Sequence, residues 1–343
     1  MNKWYEKAGE YSDVAISTRI RLARNISKYP FPCKLNSTMK KSVIEDLQNA
    51  LSTADFENFG FNYVNTAEVN TIDLKSFVEC HLVSPDFIKP DKFKAVFLSS
   101  GENVSIMVNE EDHVRLQVMN EGLALDETYR LADEIDTMLD KSLNFAFSEQ
   151  LGYLTQCPTN LGTGMRASVM LHLPALHKYG MIEKISSSLI KLGLTIRGIY
   201  GEGSEPKGDI YQISNQVTLG ISEKTALKNL NDITLQIITQ ERNCREKLAK
   251  NIQVVDSVCR AVGILKSAKL LANEEFMTLM SKVRLGLAMG LLTGISYDLL
   301  NEITIKAQPC TMMKTVNEEL SAVQRDQKRA ALLNEHFNCV QLL

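Results

Sequence analysis

At 343 residues the chain exceeds the usual size of a single domain, so one large domain with a smaller partner is the expected organisation. With 44% hydrophobic and 23% charged residues it has the composition of an ordinary globular protein, and a formal net charge of −3 excludes a global basic field for direct nucleic-acid binding. Any anion site must be local.

The first residues, Met1-Asn2-Lys3-Trp4-Tyr5-Glu6-Lys7, hold no apolar secretory stretch and predict a cytoplasmic protein. The most apolar long window, Leu285 to Ile295, is roughly half of the ~20 residues a membrane helix needs, and reads as a buried helix rather than a membrane anchor. Seven cysteines without a C-x-x-C pair predict neither a disulfide scaffold nor a zinc cluster. Residues 1–36 hold the arginine-dense Ser17-Thr18-Arg19-Ile20-Arg21-Leu22-Ala23-Arg24-Asn25, then the turn Tyr29-Pro30-Phe31-Pro32. Met39, Val43, Leu47 and Leu51 predict a covering helix from Ser37 to about Phe56, capped by Ser37 or Thr38. Phe61 to Val64, Ala95 to Ser99 and Val104 to Val108 read as strands, the last two as a hairpin about Ser100-Gly101-Glu102-Asn103. Leu125 to Phe147 is amphipathic, with Leu131, Ile135, Met138 and Leu139 inward and Asp133, Asp136 and Asp140 expected in solvent.

Further on come an apolar run from Ala167 to Leu176, a helix near Ile182 to Leu192, a strand from Thr195 to Tyr200, and an apolar run from Ile210 to Leu219. A long charged helix spans Ser222 to about Lys250, and beyond it the sequence reads as helical with no clear strands. Strands and helices alternate without a regular βαβ repeat, so the fold class is α+β, with a catalytic domain over 1–248 and an all-helical domain over 249–343.

Chemistry concentrates in Cys157-Pro158-Thr159-Asn160-Leu161-Gly162-Thr163-Gly164-Met165-Arg166, a thiol and a glycine-softened loop beside an arginine. Arg19, Arg21, Arg115, Arg166 and Arg197 all stand in motif-like surroundings, and guanidinium forks match phosphate oxygens bidentately. No G-x-x-x-x-G-K-[ST] loop occurs, and Gly162-x-Gly164-x-x-Ala167 lacks the strand and acidic partner of a dinucleotide fingerprint. The acidic loops holding Glu111 and Glu202 suit a cationic substrate such as a guanidinium, which needs a carboxylate base when it attacks phosphorus. Two other readings stay open: Cys157 as a nucleophile with His172, His81 or His113 as base, and the Glu110-Glu111-Asp112 loop as a metal ligand or solvated turn.

Taken together and in order, S-T-R-I-R from Ser17, N-E-E-D-H-x-R from Asn109, C-P-T-N-L-G-T-x-M-R-A-S-V from Cys157 and R-G-x-x-G-E from Arg197 resemble the catalytic domain of the phosphagen (guanidino) kinases. The resemblance covers about residues 13–245 and implies an antiparallel sheet flanked by helices. It implies an ATP and Mg2+ site formed by Ser17, Thr18, Arg19, Ile20 and Arg21, by His81 and Arg115, by Arg166, Ala167, Ser168, Val169 and Met170, and by Arg197, Gly198, Ile199, Tyr200, Gly201 and Glu202. It further implies that Glu111 and Glu202 orient and deprotonate the guanidinium, Glu111 being first choice for the base, and that Cys157 contacts it as a thiolate.

The arginine motif begins near the start of the chain, where small-molecule guanidino kinases carry a helical domain first, and here a helical region comes after it instead. That order, with Gly164 and the 200–205 loop, is similar to the bacterial protein-arginine kinases of the McsB type. Arg325-Asp326-Gln327-Lys328-Arg329-Ala330 matches their R-D-x-x-R-A motif, which implies an allosteric phosphoarginine site at Arg325, Asp326, Arg329 and Ala330. Arg325 and Arg329, at i and i+4, are expected to share a helix face and grip one phosphate while Asp326 meets the guanidinium. The resemblance also implies dimerisation, protein substrates presented through exposed arginines, a McsA-type zinc-finger activator, a Clp ATPase and a stress-response repressor. A kinase for a small guanidino compound and a phosphoarginine-binding adaptor are the alternatives.

Overall fold

The computed structural model describes residues 3–89, 91–198 and 207–343. The first part of the chain forms β1 (Ala15–Arg24), α1 (Ser37–Leu51), β2 (Asn62–Asn65), α2 (Thr71–Glu79), β3 (Ala95–Leu98), β4 (Val104–Val108), β5 (Val114–Glu121) and α3 (Leu125–Leu143). A two-stranded pair, β6 (Phe147–Ser148) and β7 (Gly152–Tyr153), precedes β8 (Met165–His172), α4 (Pro174–Lys178), α5 (Ile182–Lys191), β9 (Leu194–Gly198), β10 (Ile210–Asn215) and α6 (Glu223–Leu248). Eight strands make one sheet in the order β2-β3-β4-β5-β1-β8-β10-β9, and each neighbouring pair is antiparallel.

The two faces of this sheet differ because side chains alternate along a strand. On one face Ile20 and Leu22 of β1, Leu116 and Val118 of β5, Ala167 and Val169 of β8 and Ile213 of β10 meet Val43 and Leu47 of α1, Ile135 and Leu139 of α3 and Leu230 and Ile237 of α6. Each large aliphatic side chain fully buried there contributes about 1.5–3 kcal/mol. The residues between them, Arg19 and Arg21 on β1 among them, face the other way.

The helical part comprises α7 (Ile252–Ser267), α8 (Asn273–Ala288), β11 (Leu292–Thr293), α9 (Tyr297–Lys306), α10 (Pro309–Val316), α11 (Ala322–Phe337) and β12 (Gln341–Leu342). Val258, Val262, Phe276, Val283, Leu333 and Phe337 form its core, and Ile16, Met170 and Ile210 of the sheet enter the same cluster. On the sheet's opposite flank α2 packs Leu74 and Phe77 with Met107 and Met119.

Several boundaries differ from the sequence reading for local reasons. The cap of α1 is Asn36, whose side chain accepts from Met39 N, and α1 stops at Leu51 before a 3-10 turn at Ala54–Phe59. Leu285 to Ile295 is not one helix: α8 ends at Ala288, and β11 comes next and pairs with β12. Gly294 (φ +79) permits that turn, since a Cβ there would lie 2.1 Å from Cys339 O. The β11–β12 pair is also a small exception to the strandless reading of the helical region. All seven cysteines are free thiols, and no described helix is long and apolar enough to cross a membrane.

The larger correction concerns Asp136, which is buried rather than solvated. Arg24 donates to both its carboxylate oxygens, from Nε at 3.0 Å and from Nη2 at 2.8 Å. Arg24 has the opposite strand parity to Arg19 and Arg21, so it points into the core, lies over the Tyr153 ring 3.4 Å from its centroid, and donates to Thr163 O in the glycine loop at 3.1 Å. Removing one partner of such a buried pair leaves an uncompensated charge. Asp136→Ala should therefore lower the unfolding free energy by about 3–5 kcal/mol. Chemical denaturation checks this, and the double variant Arg24→Met/Asp136→Leu should recover most of the loss.

Candidate active site

Strand register brings the predicted arginines together. Arg21 lies opposite Arg166 on β8 and Gln117 on β5, Ala23 opposite Arg115, and Gln212 on β10 opposite Arg197 on β9. All of these positions share the face turned from the helix-packed core. They line a cleft of about 640 Å3 together with His81, Glu110, Glu111, Cys157 and Asn160.

The cleft is poor in compensating charge around its deepest arginines. Burial, then Arg166 and Arg115, lower Arg19 to about 10, and burial with its neighbouring arginines pushes Arg21 well below the usual guanidinium range. Arg21 Nε is buried with no hydrogen-bond partner among the described residues. Arg19 Nη2 donates to Gln212 Oε1 at 2.6 Å and Arg166 Nη2 to Ser214 Oγ at 3.4 Å. A polyanion with several oxygens would relieve both the repulsion and the unmet donor, which is the chemistry of a nucleotide triphosphate.

At the rim, Arg115 pairs with Glu110 and, at 3.2 Å, with Glu111, and Asn160 Nδ2 donates to Glu111 Oε2 at 3.4 Å. Glu110 also accepts from Ser84 Oγ. Glu111 is the more exposed carboxylate, 39% against 8% for Glu110, which leaves it available to a ligand. Cys157 precedes a 3-10 turn at Pro158–Asn160, and its Sγ lies 3.0 Å from Thr159 Oγ1. The loop closes on Gly164 (φ +60), where a Cβ would sit 2.7 Å from Ala23 O and 2.5 Å from Arg24 Nη1.

Not every residue of the predicted nucleotide segments faces the cleft. Thr18 turns into the core, donating to Gly122 O at 2.8 Å and accepting from Ala124 N at 3.0 Å. Ile20, Ala167 and Val169 are core residues, whereas Met170 packs against the C-terminal helices. Ser17 and Ser168 are buried, and Gly198 ends β9. Ile199, Tyr200, Gly201 and Glu202 lie outside the described residues. Of the three candidate histidine bases, His113 is held between Ile26 N and Pro30 O, and His172 Nε2 lies 2.9 Å from Ser281 Oγ. Only His81 lines the cleft.

Beyond His81 a second, largely apolar cavity opens between the sheet and the C-terminal helices, lined by Trp4, Ile16, Met170, His172, Met280 and Arg284 among others. Trp4 Nε1, His172 Nδ1 and Arg284 Nε are buried there without hydrogen-bond partners among the described residues. Ser281 donates its hydroxyl proton to Asp209, so His172 Nε2 carries the proton and Nδ1 is an acceptor. The cavity thus offers two donors and one acceptor. Sequence reasoning missed Trp4, Ser84, Asn160, Gln212 and Arg284; for Gln212 the signal was strand parity, and for the others it was long-range packing.

The C-terminal motif is arranged differently from the surface grip expected of it. Arg329 is 1% exposed; its Nε donates to Ala307 O at 2.9 Å, and its Nη1 to Leu271 O at 2.7 Å and Asp326 Oδ1 at 2.8 Å. Arg325 Nη1 donates to Leu320 O at 2.8 Å, and Ala330 is buried. Arg329 is in this arrangement an internal anchor that ties α11 to the α7–α8 and α9–α10 junctions.

An arginine-lined cleft on an antiparallel sheet with carboxylates at its rim defines a guanidino-substrate phosphotransferase, and sequence comparison agrees. Residues 42–244 match the model of the ATP:guanido phosphotransferase C-terminal catalytic domain, and residues 251–342 match that of the protein-arginine kinase McsB C-terminal domain. The chain belongs to the ATP:guanido phosphotransferase family. It is 45% identical over 329 residues to a protein-arginine kinase of Caldanaerobacter subterraneus subsp. tengcongensis, covering 95% of this chain and 97% of that one. It is 43% identical over 341 residues to the protein-arginine kinase of Desulforamulus reducens, covering 98% and 96%. Among solved structures, the substrate-free duplicated taurocyamine kinase from Schistosoma mansoni matches with a TM-score of 0.58 and 30% identity over 67% of this chain, which spans about a third of that protein (34%). A lombricine kinase shares the fold, with a TM-score of 0.60, 24% identity and 69% of each chain covered.

The buried histidines make stability pH-dependent. Burial, with Arg19 nearby, lowers His81 from 6.5 to about 3; burial lowers His113 to about 4 and His172 well below 6.5. The unfolded chain therefore binds protons that the folded chain refuses, and stability is full above pH 6.5 and falls as the pH drops. The slope should approach about 1.4 kcal/mol per pH unit for each histidine. Denaturant midpoints taken between pH 7.5 and 5.5 check this, and His81→Gln should flatten the curve by roughly one third.

Proposed function

We propose that the chain transfers the γ-phosphoryl group of ATP to arginine side chains of proteins. The observation that carries the reading is the convergence of Arg19, Arg21, Arg115, Arg166 and Arg197 on one cleft with Glu111 and Cys157 at its rim, in a chain similar over nearly its full length to protein-arginine kinases. In this reading the five guanidiniums bind and neutralise the triphosphate, so catalysis is mainly positioning and electrostatic stabilisation. Mg2+ bound with the nucleotide would add to that neutralisation, magnesium being commonly bound through substrate phosphates and few protein carboxylates.

Phosphate oxygens drawing on Arg115 leave Glu110 to Ser84 and free Glu111 for the substrate guanidinium. Glu111 then holds two guanidinium N–H groups and takes one proton as the nitrogen attacks the γ-phosphorus and the bond to the ADP oxygen breaks, while Cys157 and Glu202 help to orient the guanidinium. The nucleotide base is assigned to the cavity beyond His81, whose acceptor at His172 Nδ1 suits the exocyclic amine of adenine and opposes the carbonyl oxygen of guanine.

Arg325 is assigned the phosphate of a bound phosphoarginine and Asp326 its guanidinium, with Arg329 and Ala330 fixing both from below. The likeness to McsB-type kinases supports, as further parts of the proposal, a cytoplasmic homodimer acting with a McsA-type activator, a Clp ATPase and a stress-response repressor. It also supports the domain division at 248/249, α6 ending at Leu248.

Incubation with radiolabelled ATP and casein should give an acid-labile protein label, with GTP a poor donor and free arginine a weak competitor. Absence of the label from wild-type protein, or free arginine as the preferred acceptor, would sink the reading. Glu111→Gln should lower kcat by about 10²–10⁴-fold, the usual worth of a positioned base. In calorimetry Arg325→Ala should weaken phosphoarginine binding and leave ATP affinity unchanged; equal phosphoarginine affinity in both proteins would refute that site.

A further inference from the structure

Helix α10 begins with unmet backbone donors that a different element satisfies. Its N-cap residue Gln308 makes no side-chain capping bond, turning instead to Thr304 O at 2.9 Å, and Pro309 at the first helical position has no N–H. The next two amides go to Glu79, the last residue of α2: Cys310 N donates to Oε1 at 2.9 Å, Thr311 N to Oε2 at 2.7 Å, and Thr311 Oγ1 to Oε2 at 2.8 Å. A carboxylate engaged through both oxygens on the positive end of a helix makes charge-assisted bonds of the stronger kind. Helix α2 does not need Glu79 for its own ending, because the Cys80 amide closes it onto Ser76 O and Val78 O. The carboxylate serves the junction with α10.

Immediately after Glu79 the backbone enters the arginine cleft. It turns left-handed at His81 (φ +59), whose carbonyl accepts from Gln117 Nε2 at 2.7 Å, and Ser84 donates to Glu110, the partner of Arg115. On the far side, Arg329 Nε holds Ala307 O at 2.9 Å, two residues before Pro309. The start of α10 is thus gripped from both sides, by the α11 arginine and by the carboxylate at the head of the cleft's own wall.

We infer that Glu79 is a positioning residue for phosphoryl transfer: by capping α10 it fixes the 80–84 segment against the C-terminal helices, and so sets His81 directly and Arg115 through Ser84 and Glu110. The inference rests on the nucleotide role proposed for the cleft. It makes the C-terminal helices part of the support of the nucleotide site.

The experiment measures ATP affinity by calorimetry in the full chain, with thermal unfolding recorded for each variant and kcat and KM taken with casein. Glu79→Gln keeps one acceptor oxygen, Glu79→Ala keeps none, and Thr311→Val removes from the α10 side the hydroxyl that donates to Glu79 and lies 3.9 Å from Cys80 Sγ. ATP Kd should rise in the order Thr311→Val, Glu79→Gln, Glu79→Ala, over a range of about two- to tenfold, the scale of one or two charge-assisted bonds. KM for ATP should track Kd, while KM for casein at saturating ATP stays near the wild-type value. The double variant Glu79→Gln/Thr311→Val should bind ATP about as well as Glu79→Gln alone, since both act through one contact.

Folded variants with a lower Tm and wild-type ATP Kd would show that Glu79 merely stabilises the junction, and would overturn the inference. Should Glu79→Ala fail to fold, the Glu79→Gln and Thr311→Val pair decides. A wild-type chain that binds ATP yet labels no arginine would remove the proposed protein substrate, and the Kd series would still decide the role of Glu79. A wild-type chain that binds no ATP would overturn both.

Discussion

Five guanidinium groups on one face of an antiparallel sheet are the constraint around which the molecule is arranged. Antiparallel pairing places residues of neighbouring strands directly opposite one another, and the period of two keeps Arg19, Arg21, Arg115, Arg166 and Arg197 on a common side. Such a cluster opposes folding, because burial and mutual repulsion both disfavour the charged form, as the lowered Arg19 and Arg21 register. The fold answers on the opposite face, where the aliphatic residues of the same strands pack beneath α1, α3 and α6. Function and stability are written into alternate residues of the same strands.

That parity explains why Arg24 is different. It belongs to the same arginine-dense segment as Arg19 and Arg21, yet an odd step along β1 sends it into the core, where Asp136 neutralises it and Tyr153 lies under its plane. From there it holds Thr163 O, so the one arginine of the segment turned away from the cleft supports the loop that carries Cys157 and Gly164. A surface arginine would be of little structural consequence; a buried one tying a strand, a helix and a loop together is not.

Much of this was legible in the chain before the fold was known. The β3–β4 hairpin is implied by two strand-like runs about a polar turn, and the long charged helix expected from Ser222 is α6, which Ser222 caps. The arginines, His81, Glu111 and Cys157 stand in segments whose order is specific, and the cleft gathers them. The features that could not be read depend on partners distant in sequence. Asp136 looks like one more charge on an amphipathic helix until Arg24, 112 residues earlier, is found beside it. Arg329 looks like a surface residue one turn from Arg325, because nothing local says that Ala307 O and Leu271 O await its donors. The cap of α1 was misplaced by one or two residues, since Asn36, Ser37 and Thr38 are all good caps and only backbone geometry chooses among them.

The same long-range contacts bear on why a helical region accompanies a sheet that already has a core. Ile16, Met170 and Ile210 lie on or beside the arginine-bearing strands, yet they are buried among α7, α8 and α11, so the cleft ends where the helices begin. Arg284 on α8 reaches back to Ser12 O at 2.7 Å and leaves its Nε toward the cavity it shares with Trp4 and His172. A ligand filling that cavity would touch both halves of the chain at once, and its binding would depend on how they are set against each other. The helices are therefore the second wall of that cavity rather than an appendage to the sheet.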